Sequence, residues 1–231
     1  MSDDASTLAQ WIAEAHDIVF FGGAKGFYHQ EREIPLERVL SIDFFSACPG
    51  AYYAWFAEET AREGVAPNAA HRFLAGLERA GKLKTVVTQN IDGLHQAAGS
   101  KRVLELHGNW TRLECTGCGA RSTIDDFDEA RAGRVPHCPS CSAVVRPDIV
   151  FYGEALDPAT LEGAVLAIAG ADMLIVGGTS LAVYPAAGLI DYYQGGRLVL
   201  MNATPTPYDG RADLIIREPI GRVFAQIQGH V

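Results

Sequence analysis

Two close cysteine pairs have the clearest chemistry in the sequence: Cys115 with Cys118, and Cys138 with Cys141. Four thiolates at this spacing are typical of tetrahedral zinc sites, with Zn–S distances of about 2.3 Å. Because sulfur fills all four coordination positions, the sequence predicts a closed, structural zinc site rather than a catalytic one. The alternative is two disulfide-prone pairs, but a reduced cytoplasm with bound metal is the favoured interpretation.

Polar side chains follow a short run of β-branched residues at positions 86–88. The run predicts a buried strand, and Gln89, Asn90 and Asp92 come at its end. Open α/β sheets bind their ligands at the carboxyl ends of their strands, so these side chains are candidates for a ligand pocket. The alternative interpretation is a turn followed by a helix cap.

A histidine lies at another predicted strand end. His107 follows the strand-like residues 103–106 and precedes Gly108. A neutral imidazole can accept a proton near physiological pH, which suits a general base, although a lone histidine is more often structural. Two other reactive residues have plainer interpretations. We expect His95 to be solvated or to cap a helix, and Cys48 to be a buried small apolar residue.

Glycines end two further apolar runs. Residues 17–21 run into Gly22 and Gly23, and residues 173–176 run into residues 177–180. Glycine lets a backbone approach phosphates closely, and small residues at a strand end free N–H groups for them, so both turns are candidates for dinucleotide binding. The first turn lacks the usual glycine spacing, so a plain tight turn is its alternative.

These candidate residues must be positioned by strands that alternate with helices, which predicts an α/β fold with a parallel, Rossmann-type sheet. A small zinc-ribbon domain is inserted into that sheet. The chain is then one domain, residues 1–231, with its Rossmann-type part at residues 1–107 and 150–231 and its zinc-binding insert at residues 108–149. A helix is expected to start around Pro185.

Helical spacing of apolar residues predicts further helices at residues 8–15, 35–45, 49–63, 68–80, 160–169 and 221–227. The aromatic residues of the second and third of these are interpreted as core packing. Strands are predicted at residues 198–201 and 213–216, and the charged spacer at residues 121–134 is predicted to form an exposed hairpin or helix.

The composition narrows the function classes. The chain has 231 residues, of which 48% are hydrophobic and 20% are charged, which is typical of a globular protein. The net charge of −9 argues against nonspecific nucleic-acid binding and is compatible with basic peptide partners. No apolar run has the length of a membrane span, and residues 1–4 do not resemble a signal peptide, so a cytoplasmic location is expected.

Taken together, several blocks resemble the sirtuin family of NAD-dependent protein-lysine deacylases. They occur in the family's order, from about Leu8 to Ile227. The blocks are TQNIDGLHQAAGS, ELHG, the two cysteine pairs, RPDIVFYGEAL, VGGTSLAVYPA and MNATPTPYD.

The resemblance assigns roles to residues of this chain. His107 would be the catalytic base, and Asn90 and Asp92 would contact the nicotinamide and its ribose. Val150, Phe151, Tyr152 and Gly153 would form the edge that pairs with an extended acyl-lysine peptide, with Phe151 lining the acyl tunnel. The complete set implied for NAD is Gly22, Gly23, Ala24, Gln89, Asn90, Ile91, Asp92, Gly178, Thr179, Ser180, Asn202, Ala203, Thr204 and Ile220.

The family reaction implied by the resemblance begins when the acyl oxygen attacks the nicotinamide ribose and nicotinamide leaves. His107 then acts on a ribose hydroxyl, which attacks the acyl carbon, and the products are free lysine and an O-acyl-ADP-ribose. An uncharged acyl group such as acetyl is favoured, since Tyr28 and Arg32 are one residue further apart than the Tyr-x-x-Arg pair of the succinyl-preferring branch. The alternatives are a poorly active binding scaffold and an ADP-ribosyl transferase.

One family block is absent. Sirtuins continue the first glycine turn as Gly-Ala-Gly-x-Ser-x-x-Ser-Gly-Ile-Pro-Asp-Phe-Arg, whereas here residues 22–24 lead directly to residues 25–28. The gap is roughly 12–15 residues, the size of a functional lid. We expect Ala24 and Lys25 to be peptide-bonded, with their Cα atoms about 3.8 Å apart, and NAD affinity and turnover to be reduced. The alternative is a mobile lid missing from the sequence.

Overall fold

A computed structural model describes residues 2–23, 34–61 and 65–230. Nine strands form two sheets within these residues. In chain order they are β1 Ile18–Gly22, β2 Leu83–Thr88, β3 Val103–Glu105, β4 Gly108–Cys115, β5 Arg121–Thr123, β6 Val145–Ile149, β7 Met173–Gly177, β8 Leu198–Met201 and β9 Leu214–Ile216. The larger sheet is parallel in the order β3-β2-β1-β7-β8-β9, and the smaller is antiparallel in the order β5-β4-β6. The predicted Rossmann-type sheet with an inserted zinc ribbon is confirmed.

Nine α-helices are described, some packed on the larger sheet and others on the smaller one. They are α1 Asp3–Glu14, α2 Leu36–Val39, α3 Ile42–Ala47, α4 Pro49–Thr60, α5 Ala69–Arg79, α6 Leu94–Ala97, α7 Asp128–Arg131, α8 Pro158–Ala169 and α9 Ile220–Ile227. Short 3-10 helices occupy Ile124–Asp126, Ala186–Tyr192 and Asp209–Arg211. Within the part of the chain that the structure describes, no helix combines the length and the apolar character that crossing a membrane requires.

The larger sheet has two buried faces, as parallel sheets do. Every residue of β1, β7 and β8 is buried. Helices α1, α5 and α9 pack on one face, and α8 packs on the other together with Ala186–Tyr192. Sequence-encoded caps begin these helices: Asn68 accepts N–H bonds at the start of α5, and Asp157 accepts one at the start of α8.

A third apolar cluster joins α2–α4 to the smaller sheet. Tyr52, Tyr53 and Phe56 are fully buried there and pack in ring-to-ring contact. The Tyr53 hydroxyl donates a 2.6 Å hydrogen bond to the Val145 carbonyl of β6. The aromatic residues are therefore core packing, as predicted. The boundary of the insert at residues 108–149 stays a prediction, because α2–α4 share this core with it.

The structure corrects two expectations and bears out a third. Cys48 is exposed, because it lies where α3 ends and α4 begins, and such connections run over the surface. His95 is buried, because its ring packs against His71 and lies beside Phe20. A helix does start at Pro185, as expected, and it is the 3-10 helix Ala186–Tyr192.

Two other expectations have different outcomes. The spacer at residues 121–134 is neither one hairpin nor one helix, since it forms β5, a 3-10 turn and α7. The expected bond between Ala24 and Lys25 lies outside the described residues.

Candidate functional site

A cavity of about 490 Å³ opens at the carboxyl ends of the parallel strands. The strand order reverses between β1 and β7, whose last residues Gly22 and Gly177 are register partners. Such a switch point leaves a crevice, because the connections on its two sides lead in opposite directions. The cavity brings together the predicted residues Gln89, Asn90, Ile91, Asp92, His107, Val150, Phe151, Tyr152, Gly153, Thr179 and Ser180.

His107 lies between β3 and β4, at the edge of this cavity. Its Nδ1 is 3.0 Å from the carbonyl oxygen of Gln89. Because a carbonyl can only accept, Nδ1 carries the proton and Nε2 has the free lone pair. Burial lowers the pKa of His107, and the bond to Gln89 opposes this only in part. The imidazole is therefore neutral at pH 7 and able to accept a proton.

Gly108 fixes the chain directly after this histidine. Its φ is +76°, and a Cβ atom there would lie 2.1 Å from the Asp148 carbonyl oxygen. Glycine is therefore required for β4 to begin beside β6. The His107 carbonyl accepts a 3.0 Å bond from the Val150 N–H, which joins the residue before β4 to the residue after β6.

The turn after β2 presents Asn90 and Asp92. The Asn90 N–H donates to the Thr88 hydroxyl at 3.0 Å, and Asp92 Oδ1 accepts the Leu94 N–H at 3.0 Å. Burial raises the pKa of Asp92, although hydrogen bonds and the nearby His71 oppose the rise. Asn90 Oδ1 is buried and has no hydrogen-bond partner among the described residues. An unpaired buried acceptor is what a ligand donor would satisfy.

The turn after β7 faces Gly23, which follows β1. A Cβ atom on Gly23 would lie 2.8 Å from Thr179 Cβ, so the turns after β1 and β7 are in close contact. Asn202 Oδ1 accepts the Thr179 N–H at 3.1 Å, while its buried Nδ2 has no partner in the described part of the chain. These turns therefore present backbone and amide groups at the sheet edge. Among the described residues, Asn202 Nδ2 is a buried donor that remains available to a ligand.

The other residues predicted for NAD lie at the same sheet edge but outside the cavity lining. The Thr204 carbonyl accepts a bond from Arg217 at 2.9 Å. Ile220 opens α9 and approaches Gly177. Gly178 has a φ of +68°, and Ala203 is exposed in the turn after β8. Ala24 lies outside the described residues.

The segment predicted to bind substrate already uses three of its backbone donors. The N–H of Phe151 donates to Glu154 Oε2 at 2.9 Å, and the N–H of Tyr152 donates to the Leu40 carbonyl at 2.8 Å. The Val150 N–H is bonded to His107, as described above. A peptide strand can therefore pair with this segment only through other backbone groups.

The sulfur atoms of Cys115, Cys118, Cys138 and Cys141 all lie within 4.8 Å of one another. Two pairs are closer: Cys115 to Cys141 at 3.4 Å and Cys118 to Cys138 at 3.7 Å. A zinc tetrahedron with Zn–S of about 2.3 Å has S–S edges of about 3.8 Å, so the four sulfurs fit one ion. The predicted closed zinc site is confirmed. Each short pair joins one cysteine of the first knuckle to one cysteine of the second.

The chain matches the model of the Sir2 family over residues 13–185. It belongs to the Sir2 family. An NAD-dependent protein deacetylase of Clostridium acetobutylicum is 42% identical over 241 residues, which cover 97% of this chain and 98% of that protein. One of Cutibacterium acnes is 41% identical, over 96% of each chain. The first alignment is longer than the 231 residues of this chain, so that relative has residues without a counterpart here.

Solved Sir2 structures share the whole fold. A Sir2 bound to an acetylated peptide is 36% identical with a TM-score of 0.86, and the match covers 99% of this chain and 98% of that one. A Sir2 with a p53 peptide and NAD+ is 35% identical with a TM-score of 0.84, again over 99% and 98%. The fold of this chain, with its zinc ribbon, is thus that of Sir2 proteins.

Sequence reasoning missed part of this cleft. Leu36 and Leu40 line the cavity from α2 and its C-terminal end, in a segment where no motif was found. Two isolated leucines have no diagnostic spacing, so no signal in the sequence could have selected them. The signal was available for the other lining residues, because they stand in the RPDIVFYGEAL and VGGTSLAVYPA blocks: Glu154, Leu156, Val183, Tyr184 and Pro185.

Proposed function

We propose that this chain is an NAD-dependent protein-lysine deacetylase in which His107 is the general base. The observation that carries the proposal is the state of His107. Its Nδ1 is committed to the Gln89 carbonyl, its pKa is lowered by burial, and it borders the same cavity as Asn90, Asp92 and Phe151. The relatives named above support NAD-dependent deacetylation as the reaction.

The residues present fit NAD at the carboxyl edge of the sheet. Bound NAD would supply the ribose from which nicotinamide departs and the hydroxyl groups that receive the acyl group. Asn90 and Asp92 would hold the nicotinamide end, and Thr179, Ser180 and the unpaired Asn202 Nδ2 would hold the polar groups towards β8. The larger proposed set, including Gly22, Gly23, Gly178, Ala203, Thr204 and Ile220, surrounds these positions.

The geometry of His107 supports its proposed role. Nε2 is the free nitrogen, so it takes the proton from a hydroxyl placed in the cavity and then holds it as imidazolium. The Gln89 carbonyl fixes the ring orientation and stabilises the charged form, because it accepts the Nδ1 proton. Nearby residues 150–153 would present the acyl-lysine to that hydroxyl.

An uncharged acyl group, such as acetyl, is the proposed substrate class. Apolar side chains, including Leu36, Leu40 and Val183, line much of the cavity. Such walls favour burial of an aliphatic chain over a carboxylate. We also propose a cytoplasmic location, because the zinc site requires four reduced thiols.

The test is deacetylation of an acetyl-lysine peptide by the full chain, followed by mass spectrometry with and without NAD. We expect free lysine only with NAD, and nicotinamide released in equal amount. A scaffold would bind the peptide but release no nicotinamide. A transferase would release nicotinamide without removing the acetyl group.

A further inference from the structure

Arg146 and Glu154 form a paired, partly buried clamp beside the cavity. Arg146 Nη1 donates to Glu154 Oε1 at 2.6 Å, and Nη2 donates to Oε2 at 2.7 Å. Their side chains are only 20% and 26% exposed. A bidentate arrangement with little exposure has a defined geometry, unlike most ion pairs at a protein surface.

The pair holds Phe151 from two sides. Glu154 Oε2 accepts the Phe151 N–H at 2.9 Å, and the Arg146 guanidinium lies over the Phe151 ring, 4.6 Å from its centroid. Arg146 Nη2 also donates to the Ile149 carbonyl at 2.8 Å. The Glu154 N–H returns a 2.9 Å bond to the Phe151 carbonyl and closes a turn at Gly153, whose φ is +96°.

Phe151 connects this clamp to the substrate cavity, which Glu154 also lines. Its ring is 1% exposed and packs against Tyr52 and Phe45, so it cannot rotate without displacing the aromatic core. Removing the clamp would leave the Phe151 N–H without its charged acceptor and the ring without its cation. Both losses would loosen the segment that faces the substrate.

We propose that Arg146 and Glu154 are positioning residues that set the conformation of residues 149–154 and thereby determine affinity for the acylated peptide. The proposal rests on the proposed deacetylase function, since it names the residues that shape its peptide side. Neither residue touches the reacting atoms; both act through Phe151.

The charges of the clamp stay paired at neutral pH. Burial raises the pKa of Glu154, but the Arg146 guanidinium and the Phe151 N–H outweigh it, and the pKa lies below its ordinary value. Glu154 is therefore ionised, and each charge neutralises the other. Arg146 therefore presents no unpaired positive charge to the cavity, and the cavity wall beside β6 is apolar. This agrees with an uncharged acyl group as the substrate.

Three variants separate shape from charge. Arg146→Met removes the guanidinium, Arg146→Lys keeps the charge but loses the bidentate fork, and Glu154→Gln keeps an acceptor for Phe151 while it loses the ion pair. We expect the KM for the acetyl-peptide to rise about tenfold in Arg146→Met and less in the other two, a change of about 1.4 kcal/mol. The KM for NAD and the zinc content should stay at wild-type values.

A matched control lies at the opposite end of the sheet. Arg197 pairs with Glu14 at 2.5 Å and lies over the Trp11 ring, 5.7 Å from its centroid. Arg197→Met removes the same chemistry and should lower Tm without a change in either KM. If Arg146→Met behaves like Arg197→Met, or raises both KM values equally, the positioning role is wrong.

The proposal can be tested even if the proposed reaction fails. Wild-type protein that consumes no NAD would overturn the deacetylase function, and the same variants would then be compared for binding of a fluorescent acetyl-peptide. Weaker binding by Glu154→Gln and Arg146→Lys, with unchanged zinc and Tm close to wild type, supports the clamp. Equal binding by all variants refutes it. Should Arg146→Met fail to fold, the other two variants decide.

Discussion

The zinc cluster and the cleft differ in how their polar atoms are satisfied. The four cysteine sulfurs come from two short knuckles and converge on one point, where they can all bind a single ion. The cleft instead collects residues from the ends of β1, β2, β3, β7 and β8, and the described residues leave Asn90 Oδ1 and Asn202 Nδ2 unpaired there. A site that is complete without substrate stabilises the fold, whereas unpaired buried groups stabilise a bound ligand.

The largest test of this contrast removes one zinc ligand. Cys138→Ser should release the metal and unfold the insert, because free energies of about 10–16 kcal/mol have been measured for structural zinc binding. Metal analysis and tryptophan fluorescence would report both changes. The exposed Cys48 supplies the control, since Cys48→Ser should keep full zinc and wild-type Tm. A Cys138→Ser protein that retains one zinc per chain would show that the cluster is not a single four-sulfur site.

The next test removes the proposed base, His107, from the cleft. His107→Asn should reduce kcat by about 10²–10⁴, which is the usual contribution of a general base. Because the cleft is not the source of stability, zinc content and Tm should change little. The exposed His16 offers a matched change, His16→Asn, with no expected effect on rate. A large loss of stability together with the loss of rate in His107→Asn would contradict the contrast between the zinc cluster and the cleft.

A third test uses pH and the histidine pair beneath the cleft. Burial lowers the pKa of His95 to about 3 and also lowers that of His71. Folded His95 thus binds fewer protons than unfolded His95 between about pH 6.5 and pH 3. The contribution of His95 to the free energy of unfolding is complete above about pH 6.5. It falls as the pH is lowered, by at most about 1.4 kcal/mol per pH unit.

The raised pKa of Asp92 offsets part of that fall, because its folded carboxyl takes up a proton more readily. The urea midpoint of the wild type should therefore be lower at pH 5.5 than at pH 7.5. The difference between the two midpoints should be smaller in His95→Gln. His16→Gln should retain the wild-type difference, since that side chain is exposed. An unchanged pH difference in His95→Gln would contradict the assignment.

The smallest expected effect concerns Asn202. Asn202→Ala removes the acceptor of the Thr179 N–H and the unpaired Nδ2. We expect the KM for NAD to rise about tenfold, equivalent to one hydrogen bond with a polar ligand, while the KM for the peptide stays constant. Initial-rate measurements with each substrate varied in turn would test this. A change in the peptide KM alone would place Asn202 on the wrong side of the cleft.

The two regions were also unequally predictable from sequence. The zinc ligands follow from spacing alone, because all four lie within residues 115–141 and share one chemistry. His107 and Asn90 were found because each follows a strand and belongs to a recognisable motif. The sheet followed from apolar runs separated by helical patterns.

The errors have a common physical cause. The exposure of Cys48 and the burial of His95 depend on where the folded chain places them, which a local pattern does not show. The His95 ring packs against His71 and lies beside Phe20, and both are distant from it in sequence. Leu36 and Leu40 were missed for the same reason, since they meet the other cavity residues only in the folded chain.

The pairing of Gly108 with Ile149 has a mechanical consequence. It joins the first residue of β4 to the last residue of β6, so bending of these two strands relative to the parallel sheet would take this pair as its hinge. Points near a hinge move least, and the His107–Val150 bond is adjacent to it. Cys115 lies at the other end of β4, roughly 20 Å away at the usual rise per residue. Such bending would thus displace the cysteine end of β4 most and the His107 ring least.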